Sequence, residues 1–376
     1  MAFMAEKDIL GVIFSNMHDE MIPELTSQRT TGSVPFGGRY RMVDFPLSNM
    51  VNAGIQNVGI ITKSNYQSLM DHLGSGRFWD LSRKIGGLRI LPPFGQAHTG
   101  VYRGRLEALV NILDYVEHSS AKYVVLADCD TVANMDYQKL IAYHEEKQAD
   151  ITIAYKKMEL SKESAALNTV FDLDENGAIV DTQIFPARGG NYCVDLNVMV
   201  LDRIFLLKII QEAASRKQFS FKETVLLGKL GSYRMYGYEF NGFAAHIDSM
   251  LSFYQANLQL LDNQVIRELF DPSHPIFTKV RDEAPAKYGL NAKVSNSLVA
   301  DGCVIDGEVE NCILFRSCRI AKGAKVKNSI IMQGTVIEQF ASLDSVITDK
   351  DVVIREGRAL SGYTSYPIYV AKGKIV

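Results

Sequence analysis

The chain has 376 residues, 47% of them apolar and 22% charged, with a formal net charge of −3. That length allows two domains with cores of their own, and the charge gives no support to a nucleic-acid or polyanion-binding role. No window approaches the run of about 20 apolar residues that a membrane helix needs, and the opening MAFMAEKDIL lacks the basic end and apolar stretch of a secretion signal.

From the start to about residue 260, apolar strand candidates alternate with helical patterns, the signature of a mostly parallel sheet with crossover helices. The strand candidates are ILGVIF (9–14), VGIIT (58–62), YVVLAD (123–128), ITIAYK (151–156) and LNVMVLD (196–202). Helical stretches include 47–53, 66–73, 105–117 and 250–261; in the last, Leu251, Tyr254, Leu258 and Leu261 form one apolar face to pack on the sheet. TVFDLDENGAIVD (169–181) predicts a hairpin turning at Asn176-Gly177. Residues 270–290 hold three of the ten prolines and little periodicity, so a linker is expected over 263–288.

The texture then changes. Val294, Val309, Val326 and Leu343 each precede a polar-small pair: Asn296-Ser297, Asn311-Cys312, Asn328-Ser329 and Asp344-Ser345. The pairs recur at spacings of 15, 17 and 16 residues. A unit this short cannot bury its own apolar row, so the copies must stack. Three short strands per coil with polar corners describe a β-helix over 289–376. Five cysteines, Cys129, Cys193, Cys303, Cys312 and Cys318, form no CxxC pair. An odd, scattered set points to free thiols in a reducing cytoplasm, serving as small apolar fillers.

VPFGGRYRMVDFPLSNMVNAGI (34–55), YRGRLEAL (102–109) and LADCDTVANMDY (126–137) resemble the glucose-1-phosphate adenylyltransferases, the ADP-glucose pyrophosphorylases of bacterial glycogen synthesis. The resemblance covers essentially the whole chain. It implies a Rossmann-like α/β nucleotidyltransferase domain with a mixed, mostly parallel sheet (1–262), followed by a left-handed β-helix.

Against that pattern the loop SNMHDEM (15–21) is anomalous. The family's first βα loop is rich in glycine, with an arginine and later a lysine. Laid on this chain without gaps, its glycines fall on Asn16, Met17 and Asp19, its arginine on Met21 and its lysine on Thr31. Glycines let backbone approach a triphosphate, and the cations neutralise charge on departing pyrophosphate; Asp19 and Glu20 repel it. The lysine that grips glucose 1-phosphate is replaced by Phe185. The second Mg²⁺ aspartate is replaced by His246, with Asp248 two residues on, so only Asp130 remains of the metal pair. Two carboxylates are the usual minimum for nucleotide-bound Mg²⁺. The expectation is therefore no intact catalytic set and no metal site of this chain's own. His18, beside Asp19, reads as a surface loop residue.

Tyr102, Arg103 and Gly104 match a segment lining the nucleotide-sugar pocket and are expected as a substrate-binding remnant; Arg105, Leu106 and Glu107 replace smaller residues and narrow it. Arg29 and Arg41 match basic positions around the family's sugar-phosphate effector site. With Arg355 and Arg358 they are the effector-binding candidates, with fructose 1,6-bisphosphate as a possible ligand. Arg316, Arg319, Lys325 and Lys327 read as solvated faces of the β-helix. The pattern is that of the family's non-catalytic subunit: a cytoplasmic protein needing no cofactor itself, assembling with a Mg²⁺-dependent catalytic subunit, expectedly as a heterotetramer. The alternative is an active sugar-1-phosphate nucleotidyltransferase, but within 15–35 only Arg29 and His18 are basic. An acyltransferase on a β-helix usually needs a histidine there, and 289–376 holds none.

Overall fold

The structure, a computed structural model, describes residues 9–93 and 102–376. Its N-terminal part is built on a nine-stranded sheet. The strands are β1 (Ile9–Phe14), β2 (Asn57–Ile61), β3 (Gly87–Leu91), β4 (Tyr123–Asp128), β5 (Ile151–Leu160), β6 (Thr169–Leu173), β7 (Ile179–Ile184), β8 (Gly190–Asp202) and β9 (Met235–Glu239). The order is β7-β6-β8-β4-β1-β2-β3, with β5 pairing both β8 and β9. The run β4-β1-β2-β3 is parallel, whereas β8 lies antiparallel to β4 and β5. Ile13, Val58 and Val125 enter one apolar cluster while Val12, Ile61 and Val124 enter another on the opposite face. Burial on both faces explains why these strands are continuously apolar rather than alternating.

Helices α1 (Asp44–Asn52), α2 (Gln67–Leu73), α3 (Arg105–Asn111), α4 (Tyr137–Glu146), α5 (Arg203–Arg216) and α6 (Met250–Gln259) cover the sheet. The hairpin β6–β7 turns where the sequence predicts it: Gly177 takes a φ of +83° and Asp174 Oδ1 accepts from the backbone N–H groups of Asn176 and Ala178. The linker is shorter than expected. Residues 263–269 form a further helix, α7 (Asn263–Leu269), capped by Asp262, with Leu269 fully buried and Phe270 stacked on Tyr40 at 4.8 Å. Seven mostly polar residues carry too little periodicity to separate from the proline-rich stretch that follows.

Residues 287–370 form three five-stranded parallel sheets, a left-handed β-helix of stacked coils. The recurrent asparagines have a geometric reason. Asn296, Asn311 and Asn328 adopt φ of 41°, 53° and 46°, a left-handed corner that asparagine tolerates. Their amides form a ladder: Asn296 donates to Asn311 (2.7 Å), Asn311 to Asn328 (3.3 Å) and Asn328 to Asp344 (2.9 Å). In the next coil Ser345 takes the corner instead, with φ of 55°. Cys303, Cys312 and Cys318 fill the coil interior as expected, Cys129 is buried under the sheet, and Cys193 is half-buried; all five thiols are free.

The two parts share one core. Ile313, Phe315, Ile330, Met332 and Ile347 of the β-helix belong to the same apolar cluster as Val34, Phe36, Phe253 and Leu260. Into this joint reaches Arg29, 4% exposed, whose guanidinium donates to both carboxylate oxygens of Asp349 at 2.9 and 2.8 Å. Tyr369 places its hydroxyl 3.0 Å from the same carboxylate. Arg29 was expected to face an anionic effector; it is instead a fastener between domains. Removing one partner of a buried pair leaves an uncompensated charge, so Asp349→Ala is expected to lose about 3–5 kcal/mol of stability, and the Arg29→Leu/Asp349→Ala double variant to lose less than the single. Urea unfolding of the three proteins measures this.

Candidate active-site remnant

The parallel strands β1 and β4 are neighbours, with Phe14 opposite Asp128, so the loop after β1 and the residues after β4 meet above one edge of the sheet. Ligands of open α/β sheets bind at such carboxyl ends. Here the meeting place is filled by the chain's own charges. Arg105, at the first position of α3, donates from Nη2 to Asp128 Oδ2 at 2.6 Å and to Asn197 Oδ1 at 3.2 Å. Its guanidinium carbon lies 5.2 Å from the centre of the Phe14 ring. His18 Nε2 lies 2.7 Å from Asp128 Oδ2 and 3.1 Å from Asp130 Oδ2.

His18 is therefore not the surface residue the sequence suggests. Its partners stand 110 residues away, beyond any local pattern. Burial pulls its imidazole down, but Asp130 and Asp128 together outweigh burial and raise it. Burial alone would raise Asp128, and Arg105 and His18 hold it below the ordinary carboxylate range. Cys129, between the two aspartates, is pushed well up by burial and by their charge.

The third contributor is strand β8. Its register against β5 slips between Asp195 and Met199, a bulge that puts Asn197 at φ of +55°. The bulge turns Asn197 inward, where Nδ2 donates to Asp130 Oδ2 at 2.8 Å. Asp195 lies beside it, 2% exposed and raised by burial, with Oδ1 accepting from the Asn197 N–H. Sequence reasoning passed over Asn197; Asp195 and Asn197, two polar residues inside the otherwise apolar stretch VDLNVMVL, were the available signal.

Most of the residues at the positions where the family pattern has its glycines, cations and second aspartate are held in contacts within the chain itself. Asp19 Oδ1 accepts from the N–H and hydroxyl of Thr31 at 2.8 and 2.7 Å, and burial pushes Asp19 up to about 6. The loop therefore closes on itself where a phosphate would otherwise be cradled. Met21 ends a short turn, Asp19–Met21. Phe185 stands 53% exposed at φ of +62°, far from the cation role of its position. His246 Nε2 is 3.7 Å from Asp130 Oδ2, while its Nδ1 meets Thr131 Oγ1 at 3.2 Å. Asp248 points elsewhere, accepting from Asn168 Nδ2 and Ser164 Oγ at 3.0 Å each. Tyr102 is buried with its hydroxyl on Asn16 Oδ1 at 2.8 Å; Arg103 lies outside, paired with Glu107 and stacked on Phe219. At Gly104 a Cβ would come within 2.4 Å of the Phe219 carbonyl, so glycine is required there for packing.

Magnesium suits oxygen ligands in a near-ideal octahedron and keeps several waters. The carboxylates here are held by a guanidinium and an imidazole, and the second aspartate is absent, so the residues present do not fit the family's Mg²⁺.

A different concentration of charge lies at the domain joint. Arg39, Arg41, Lys279, Arg281, Arg316 and Lys350 line one cleft, with His72 behind them. Arg41 donates to the Ser68 carbonyl at 2.6 Å. Arg316 is 7% exposed and, among the described residues, its Nε and Nη2 have no hydrogen-bond acceptor. Burial and the neighbouring cations lower Arg41 to about 10 and Lys350 to about 7. Of the effector-binding candidates, only Arg41 lines this cleft; Arg355 and Arg358 are exposed on the last coil outside it.

The closed arrangement around Asp128 makes its own forecast. Arg105→Met strands a buried carboxylate and is expected to lose about 3–5 kcal/mol of stability, while Arg105→Met/Asp128→Asn recovers at least about 1 kcal/mol of it. Chemical denaturation of the single and double variants measures the difference.

Comparison with known proteins agrees with the architecture. A nucleotidyl transferase family model matches residues 21–180, starting at the last residue of the altered loop, and a GlmU-like C-terminal hexapeptide model matches 283–363. The glycogen biosynthesis protein GlgD of Bacillus subtilis is 36% identical over 372 residues, covering 99% of this chain and 98% of its own. GlgD of Geobacillus stearothermophilus is 38% identical over 319 residues, 85% of this chain and 82% of its own. The glucose-1-phosphate adenylyltransferase of Clostridium beijerinckii is 33% identical over 332 residues, 87% and 85% of the two chains. By overall similarity along nearly its whole length, the chain belongs to the glucose-1-phosphate adenylyltransferase family that includes the GlgD glycogen biosynthesis proteins.

Proposed function

We propose that this chain is a regulatory, catalytically deficient subunit that works in the cytoplasm beside a catalytic adenylyltransferase making ADP-glucose from ATP and glucose 1-phosphate. The observation that carries the reading is the Arg105–Asp128–His18–Asp130 cluster: the carboxylates a nucleotide-bound ion would engage are already neutralised by the chain's own cations. The self-closed Asp19–Thr31 loop supports it, because a buried carboxylate stands where a triphosphate needs amide donors and positive charge. In this reading the chain needs no cofactor, and Mg²⁺ serves the partner, the two forming a heterotetramer. Its effect is a coupling free energy: the partner's active conformation binds this subunit better than the inactive one does.

The experiment is pyrophosphate release from ATP and glucose 1-phosphate with Mg²⁺, by this chain, by its catalytic paralogue and by the mixture. The expected result is no turnover alone and a gain or a shifted effector response in the mixture. Robust turnover by this chain alone overturns the reading and supports an active nucleotidyltransferase.

The cleft at the domain joint supports an anionic effector, with fructose 1,6-bisphosphate as the compound to test. Six basic side chains converge there, and burial and mutual repulsion depress Arg41, Arg316 and Lys350. A bound anion relieves both. Without it, folded Lys350 loses its proton at about 7, whereas the unfolded lysine keeps it to about 10.4. Stability therefore rises with pH between those values. An anion favours the charged form, so its affinity falls as pH rises through about 7. Sulfate, whose charge is constant over this range, isolates the protein's titration. Calorimetry is expected to show weaker sulfate binding at pH above that value, and Lys350→Met to bind more weakly with the pH dependence flattened.

A further inference from the structure

The group around Asp130 does not suit magnesium, but its donors suit another kind of ion. We propose that His18, Asp128, Asp130 and His246 form a binding site for a first-row transition dication of the zinc type, distinct in ligand chemistry from a hard oxygen-ligated metal site. Two imidazoles and two carboxylates are the donor set such ions favour.

The spacing agrees. His18 Nε2 stands 2.7 Å from Asp128 Oδ2 and 3.1 Å from Asp130 Oδ2, and His246 Nε2 stands 3.7 Å from Asp130 Oδ2. Bonds of about 2.0–2.1 Å in a tetrahedron set donors about 3.3 Å apart; His18, Asp128 and Asp130 already stand close enough together to share one ion, and His246, outside that compact group, moves toward it to complete the set. The donors are also aimed from behind, as ligands of such sites are. Asn197 Nδ2 fixes Asp130 Oδ2 at 2.8 Å, and Thr131 Oγ1 meets His246 Nδ1 at 3.2 Å, leaving Nε2 inward. The short antiparallel pairing of Thr131–Ala133 with Ala244–His246, with Thr131 opposite His246, holds that orientation.

One oxygen of the cluster is open to an ion. Asp128 is 2% exposed, yet among the described residues its Oδ1 has no hydrogen-bond donor. An ion can engage that carboxylate while Arg105 remains on Oδ2 as its outer partner. Arg105 opposes the ion most directly, because its charge competes for the same aspartate, and Lys222 adds a further positive charge facing His18. Once seated, the ion ties together three separate segments: the loop after β1, the residues after β4 and the Ala244–His246 strand.

The test uses the full chain, stripped with a chelator and titrated with Zn²⁺, Co²⁺ or Mg²⁺. Calorimetry is expected to show about one equivalent of Zn²⁺ or Co²⁺ bound. Co²⁺ should develop the intense visible bands of a tetrahedral site, and Mg²⁺ should do neither. His18→Gln and His246→Gln are each expected to weaken Zn²⁺ binding at least about tenfold, with folding checked by circular dichroism. Arg105→Met, where it folds, is expected to tighten binding, a direction that mere structural damage does not produce. Cys193→Ser, removing the half-buried thiol, is expected to change nothing. Absence of Zn²⁺ and Co²⁺ binding to the folded wild-type chain overturns the proposal. So does binding that survives in both histidine variants or vanishes in Cys193→Ser. None of these readouts depends on turnover or on a partner subunit.

Discussion

Three carboxylates, Asp128, Asp130 and Asp195, are buried at one end of the central sheet, and the neutralisation of that charge governs the rest of the site. Carboxylates out of water are tolerated only when paired or hydrogen-bonded. In a nucleotidyltransferase fold a ligand-borne ion can serve that need. Here the chain supplies Arg105 from the start of α3, His18 from the loop after β1 and Asn197 from the β8 bulge. The departures from the family pattern become coherent in these terms. The loop after β1 keeps no glycine because it brings a histidine down to the aspartates. The segment after Tyr102 carries an arginine because Asp128 requires one.

The second organising feature is the joint between the sheet domain and the β-helix. It combines a common apolar core, the buried Arg29–Asp349 ion pair and a cluster of cations, and each has a different consequence. The apolar core and the Arg29–Asp349 pair fix the relative position of the domains. The cations of the cleft work against it, since Arg41, Arg316, Arg281 and Lys350 repel one another at close quarters. Under the proposed function, this charged joint is where an anionic signal would be received and passed between the domains.

Much of the fold was legible because it rests on local patterns. Continuous apolar strands gave the sheet, and the recurrence of Asn296, Asn311 and Asn328 gave the coils, for a reason visible only in their left-handed corners. The asparagine repeat and the Asn176-Gly177 turn share that property: the residue type itself is demanded by the backbone. What was not legible depends on distance along the chain. Arg29 meets Asp349 across 320 residues and His18 meets Asp128 across 110. From sequence, Arg29 resembled an effector ligand and His18 a surface residue, because a charged side chain's partner leaves no trace in its neighbours. Asn197 was hidden by a bulge, which has no periodic signature. The short helix Asn263–Leu269 was masked by the prolines that follow it.

The segment PFGGRYR carries most of the family resemblance, and its geometry explains why it persists in a chain with such an altered phosphate loop. Gly37 and Gly38 both take positive φ to turn between Pro35–Phe36 and Tyr40–Arg41. A Cβ on Gly37 would come within 2.9 Å of Leu260, and one on Gly38 would sit 3.6 Å from the Leu314 carbonyl of the β-helix. The Gly37 N–H is meanwhile held by Asn257. This turn is a hinge-pin of domain assembly, and its demands are the same whether or not the neighbouring pocket performs chemistry. A diagnostic keyed to it therefore registers that two domains are joined in this manner and is blind to turnover. Sorting active from inactive chains of this architecture falls to a handful of positions around residues 15–31, 105 and 197, where the requirements of catalysis and of packing part company.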